Sequence, residues 1–313
     1  MKNLNNRLYI IGNGFDQHHG QKSGYLDFKK YLEDKDTDLL EKLEKLFTSD
    51  SLWGDFEETL AYLDTDQIVD ECLNFLFPYS DDDWSDAYHH DYQYEVQRRI
   101  DTMTVDLKNL FTEWILQLKL PCDAIEKKIE LKKDSAFISF NYTDTLERLY
   151  GVAQKNIFYI HNKAIDKEST LILGHSRDPN KIKKLEELYN NEDTDVRVAE
   201  GNRILDSYFE DTYKSTNKTI QENNEFFKSL RSVSEIYVLG HSFSKVDIPY
   251  FQEIIKYIDK EVTKWKVSIR KRKDIVNREE VFRHLGINIS LVEFNSITNV
   301  DSKQLKLFNT ANF

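Results

Sequence analysis

Short apolar runs of strand length punctuate the chain at residues 8–11, 136–140, 157–160, 171–173, 235–239, 265–269 and 289–294. Most stay apolar residue after residue. A strand with one wet face alternates, whereas a strand covered on both faces does not. The pattern predicts an α/β fold, Rossmann-like, with a mostly parallel sheet flanked by helices. Over a hundred residues separate the first run from the second, although a right-handed crossover needs only about a dozen. Helical spacing fills that gap over 31–47, 56–63, 67–77 and 92–118, with Leu39, Leu40, Leu43, Leu46 and Phe47 marking one amphipathic face. The expectation is a single domain over 1–313 with a helical insertion at about 30–130. A second, charged helical insertion at about 180–230 has the composition of a solvent-facing lid or partner surface.

Charge and length narrow the partners. With 43 Lys plus Arg against 55 Asp plus Glu, the net charge is -12, which disfavours non-specific coating of nucleic acid or of an anionic membrane. No apolar run approaches the ~20 residues that cross a bilayer, and no signal-peptide core follows Met1; the expected location is the cytoplasm. Cys72 and Cys122 fit a reducing compartment and read as small buried apolar residues. The acidic stretch 79–86 reads as a solvated loop. Lys264, Lys266, Arg270, Lys271, Arg272 and Lys273 form the one basic cluster. It reads as charged protection of an edge strand with a basic turn after it, the other reading being a phosphate or nucleic-acid patch.

The polar residues fall at the ends of the apolar runs. The first ends in Gly12-Asn13-Gly14-Phe15-Asp16, and the next in Asn141-Tyr142-Thr143-Asp144. His161-Asn162, Gly174-His175-Ser176 and Gly240-His241-Ser242, with Asp247 close behind, end three more. In open parallel sheets, ligands sit beyond the carboxyl ends of the strands, at the topological switch point. These clusters therefore predict one cleft. A strand followed by Gly-x-Gly permits a tight turn whose backbone N–H groups approach a phosphate, and equally a plain tight turn. Asp16 and Asp144 each either meet ligand or cap the helix that follows; His161 is a ligand contact or a satisfied core histidine.

Gly12-Asn13-Gly14-Phe15-Asp16, Trp53-Gly54-Asp55-Phe56-Glu57, Ser139-Phe140-Asn141-Tyr142-Thr143, Leu239-Gly240-His241-Ser242 and Asp247-Ile248-Pro249-Tyr250-Phe251 together resemble the AbiH family of bacterial abortive-infection proteins. The resemblance spans nearly the whole chain and implies phage defence. A more distant similarity, to SIR2-like domains, rests on the glycine-rich first turn, Ser139-Phe140-Asn141, the histidine at the next strand end and Gly240-His241-Ser242. It implies a SIR2-like fold that binds NAD as substrate and hydrolyses it. Gly12 and Gly14 would then cradle the pyrophosphate, Asn141 would orient the ribose or the attacking water, and His161 would be the general base. Gly240 and Ser242 would line the adenosine side. Asp144 would steady developing positive charge, and Asn13, Asp16, Gly174, His175, Ser176, His241 and Asp247 complete the expected nucleotide site. His161 is followed by Asn162 where the SIR2-like pattern has glycine. No zinc-binding cysteine pairs occur, and no metal is expected.

Two other readings stay open. His161, His175, His241 and Asp16 are sound donors for Zn or Mn in a metal-dependent nuclease or phosphodiesterase. The nucleotide pocket of a non-catalytic sensor would instead report a phage-derived trigger or partner bound by the insertions. Either accommodates a homo-oligomer.

Overall fold

The computed structural model describes residues 6–49, 51–80, 85–189, 191 and 193–300. Of the acidic stretch, residues 81–84 lie outside them. The chain divides into two compact units: Met1–Ser23, Leu118–Lys163 and Asn217–Phe313 form the first, and Gly24–Gln117 with Ala164–Thr216 form the second.

The first unit is a six-stranded, all-parallel sheet. Its strands are β1 Arg7–Ile11, β2 Ala136–Ser139, β3 Ile157–Tyr159, β4 Glu235–Leu239, β5 Lys264–Ser268 and β6 Val292–Asn295. They run in the order β3-β2-β1-β4-β5-β6, a doubly wound, Rossmann-like order whose direction of winding reverses between β1 and β4. The absence of alternation has the expected cause. Leu8 and Ile10 join Ile138, Ile236, Val238, Trp265 and Val267 in one buried cluster, while Tyr9 and Ile11 join Phe137, Tyr237 and Leu239 in another. Helices cover both clusters: Phe15, Leu146 and Tyr150 pack in the second, and Tyr250, Phe251, Ile254 and Phe282 in the first. Register fixes the aromatic stack, because Tyr9 lies level with Phe137 and Tyr237 on the adjacent strands and sits 4.9 Å from each ring.

Three expectations change in this unit. Residues 289–294 are a 3-10 turn, Ile289–Leu291, leading into β6. β5 pairs with both β4 and β6, so the basic cluster does not guard a sheet edge; Lys266 instead spans Tyr237, its ammonium 3.2 Å from the phenol oxygen. Cys122 is exposed, while Cys72 is buried as expected.

The second unit is helical and is built from both insertions. The predicted helix over 31–47 is two helices, Tyr25–Lys35 and Thr37–Leu46, because Asp36 takes a non-helical conformation and caps the second by accepting from Leu39 N at 2.9 Å. Phe28 anchors an aromatic core with Trp53, Phe56, Phe111 and Trp114. Glu57 accepts from Tyr25 OH at 2.7 Å and pairs with the buried Lys214 at 2.6 Å. The Trp53 to Glu57 motif is therefore scaffold within this unit. Residues 171–173 form no strand; the adjacent His175 makes a single parallel bridge with Tyr213.

Two buried histidines tie the fold to pH. In the first unit, His19 Nδ1 donates to Phe15 O at 2.7 Å and Nε2 accepts from Tyr150 OH at 2.7 Å. Burial lowers His19 to about 4, and lowers His175 in the second unit to about 4. As pH falls from about 6.5 toward 4, the unfolded chain takes up protons that the native imidazoles refuse, and stability is lost through that window, on the order of 1–3 kcal/mol for each. Urea midpoints are expected to drop between pH 7 and pH 4.5, and to drop less in His19→Gln. A flat profile would contradict neutral burial.

Candidate functional site

Four of the five predicted polar ends, those of β1, β2, β3 and β4, sit at the carboxyl edge of one sheet in the first unit. Gly174, His175 and Ser176 belong to the second unit. At the switch point the β1 and β4 loops touch through their backbones. Gly12 N donates to Leu239 O at 3.0 Å and Gly14 N to Gly240 O at 2.8 Å. A Cβ on Gly12 would lie 2.5 Å from His241 Cα, and one on Gly240, whose φ is +68, would lie 2.1 Å from Phe15 N. Glycine is required here for contact between the two strand ends. Phe15 is fully buried against His19 and Tyr150, and Asn13 turns aside to donate from Nδ2 to Ser23 O at 2.8 Å.

Beyond β2, Ser139 Oγ accepts from Asn141 N at 3.2 Å, and Asn141 Nδ2 donates to Gly12 O at 3.2 Å. That fixes the Asn141 amide with its other end, Oδ1, buried and without a hydrogen-bond partner. Asp16 is also buried. Its Oδ2 accepts from Thr143 Oγ1 at 2.5 Å, and its Oδ1 has no partner. Burial pushes the Asp16 carboxyl up to about 6, with Thr143, Thr145 and Asn141 pulling the other way. Two orphaned acceptors at the ends of β1 and β2 suit a ligand that offers hydroxyl donors. Asp144 makes no cap hydrogen bond; it is partly exposed, 3.7 Å from Arg148.

Three buried ionisable residues form the rest. Phe243 N donates to His241 Nδ1 at 2.9 Å, which places that ring's proton on Nε2, 3.3 Å from Asp247 Oδ2. The other Asp247 oxygen stands 3.6 Å from His161 Nε2. One carboxylate thus lies between two imidazoles that come from β3 and β4. Phe140 packs edge-on to both, 5.6 Å from His161 and 4.3 Å from His241. Tyr142 stacks on His161 at 5.7 Å. Asn141 is therefore held between two rings that both touch His161. Ser242 is exposed beside this group.

Backbone strain marks the same place. Among the described residues, the non-glycine positions with positive φ are Asn162, at 63, and Phe243, at 57. Asn162 follows His161 directly, and Phe243 lies two residues after His241. Asn tolerates the left-handed region. Phe does not, and such strain concentrates at functional sites.

Two contacts of the site are not announced by the strand-end pattern: Thr143 as the partner of Asp16, and Ser268, whose Oγ accepts from Gly240 N at 2.7 Å. Thr143 sits in the same polar run as Asn141 and was within reach; Ser268 is identified only by strand pairing. Among the described residues, no group of three or more His, Cys, Asp or Glu is placed to hold a metal ion. No helix among them is long and apolar enough to cross a membrane.

A doubly wound sheet with its polar residues at the switch point defines a Rossmann-like α/β protein. The family described as "Bacteriophage abortive infection AbiH" matches residues 8–269. The chain belongs to that family, and an anti-phage, abortive-infection role follows from membership. No curated protein matches the chain. No solved structure matches it.

Keeping Asp16 ionised in a dry site costs stability. Between pH 3.8 and about 6 the native carboxyl holds a proton that the unfolded one has released, so its contribution falls as pH rises and is fully unfavourable above about 6. Asp16→Asn is expected to raise stability at pH 7.5 by on the order of 1–3 kcal/mol, a gain that shrinks toward pH 4. Urea unfolding at both pH values checks it; a destabilised variant at pH 7.5 would contradict a penalised carboxylate.

Proposed function

We propose that this chain is a cytoplasmic effector of abortive infection that hydrolyses NAD to nicotinamide and ADP-ribose. The observation that carries the reading is the pair of orphaned acceptors, Asp16 Oδ1 and Asn141 Oδ1, at the same strand ends as His161, Asp247 and His241. The resemblance to SIR2-like domains adds support.

In this reading, Asn141 and Asp16 accept from the hydroxyls of the nicotinamide ribose and hold the ring. The C1′–N bond breaks with its electron pair leaving on nicotinamide, which departs neutral because it was cationic in NAD. Water adds at C1′ of the oxocarbenium-like centre and gives its proton to His161, the general base. Asp247 stabilises the imidazolium so formed, and His241 holds Asp247 in place through Nε2–H. The strand-end glycines keep side chains out of the floor. A phage-derived trigger sets when the site acts.

Chromatography of NAD incubated with the purified protein, alone and with extract of phage-infected cells, is expected to reveal nicotinamide and ADP-ribose. His161→Ala and Asn141→Ala should each lower the rate by roughly 10²-fold or more while leaving the folded state intact. Asp247→Asn should lower it as well, because the carboxylate 3.6 Å from His161 Nε2 is lost. Undiminished release in both alanine variants, or none from the native protein under either condition, would contradict the proposal.

A further inference from the structure

The basic run after β5 has no part in the mechanism above. Arg270, Lys271, Arg272 and Lys273 follow Ser268 at the carboxyl edge of the sheet and lead into the helix Asp274–His284. All four are exposed, and among the described residues none of them has an ion pair. Cations at the amino end of a helix oppose its dipole. Only Asp274 offsets them, its Oδ2 accepting from Lys271 N at 3.1 Å. One turn further on, Arg278 is half-buried with its guanidinium 5.1 Å over the Phe243 ring. It too has no ion pair among the described residues. Burial lowers its pKa from the ordinary guanidinium value, and Asp274 works against that shift.

Position gives the cluster meaning. Phe243 is the strained residue whose N–H holds His241, so Arg278 packs against the loop that carries His241 and Asp247. Gly240 N donates to Ser268 Oγ, which ties the end of β5 to the switch point. Two strand spacings, about 10 Å, separate β5 from β1, within the span of a dinucleotide. A half-buried arginine whose nearest opposing influence is the single carboxylate of Asp274, beside four exposed cations on a chain of charge -12, suits a compact, highly charged anion. A long polyanion would meet the repulsion of the whole surface.

We propose that Arg278 and the Arg270 to Lys273 turn bind a terminal phosphomonoester, so that the dinucleotide of this site is the 2′-phosphorylated form, NADP, ahead of NAD. The inference rests on the nucleotide reading above. Arg278 gives the phosphate a planar, two-pronged donor, and the exposed cations raise its local concentration.

Calorimetric titration of the full-length protein with NAD and with NADP tests it. NADP is expected to bind roughly 10- to 100-fold more tightly, as charge-assisted hydrogen bonds to one phosphate allow, with the preference falling at higher salt. Arg278→Ala should bring the ratio of the two affinities toward one. The surface double variant Lys271→Ala/Arg272→Ala should lower the same ratio with an unchanged thermal midpoint, which separates lost recognition from lost folding. Equal affinities in the native protein, or a preference that survives both variants, would overturn this inference and leave the nucleotide reading standing. Binding of neither dinucleotide would remove both. Tight binding of a short fluorescein-labelled single-stranded DNA, lost in the double variant, would assign the patch to nucleic acid and overturn the proposal as well.

Discussion

Contact between two backbones at the switch point determines what the rest of the first unit can do. The β1 and β4 loops meet where Gly12 and Gly14 lie against Gly240 and His241, and a Cβ at any of the three glycines would approach neighbouring backbone to 2.8 Å or closer. Close approach makes hydrogen bonds across the reversal point, Gly12 N to Leu239 O and Gly14 N to Gly240 O. It also fixes where the following residues point. Asp16 is carried into the interior, and the 240–247 loop is held so that His241 and Asp247 meet. The glycines are thus structural: they let the two strand ends touch and leave the floor above them free of side chains.

Polar groups above that floor are held against their own preferences. Asp16 and Asn141 each keep a buried acceptor without a partner, although most buried polar atoms are paired. Phe243 adopts a conformation that bulky residues avoid, and in exchange its N–H fixes the His241 tautomer. Burial without pairing and backbone strain both reduce stability, and here they fall on the loops that surround Asp247. Concentration of such costs in one place is what a pre-organised site requires. In the second unit, by contrast, two buried cations are compensated: Lys214 is paired with Glu57, and Arg197 with Asp195 and Phe77 O.

Much of the sheet was legible because a strand covered on both faces has to be apolar throughout, as Leu8 to Ile11 and Ile236 to Leu239 are. The polar strand ends were legible for the complementary reason, since polar residues are tolerated where the sheet stops. Tertiary context decided the rest. Leu171 and Leu173 are buried without belonging to the sheet, because burial of a short apolar run does not specify its pairing. The basic residues around Trp265 looked like edge protection, yet strand order, which composition does not encode, places β5 inside. Asp36 splits one helical period into two helices through a local cap. The meeting of His161, Asp247 and His241 depends on how far apart two crossovers deposit their ends, and no spacing in the chain announces it.

The proposed mechanism needs His161 to meet the dinucleotide while His241 stays committed to Asp247, 3.3 Å from its Nε2. Long-range ¹⁵N NMR of the imidazole nitrogens, recorded with and without NAD, tests this most directly. The expected result is a His241 whose Nδ1 carries no proton, because it accepts from Phe243 N, and a His161 whose nitrogen shifts move as NAD is added. A His241 that exchanges between tautomers, or a His161 that ignores saturating NAD, would contradict it.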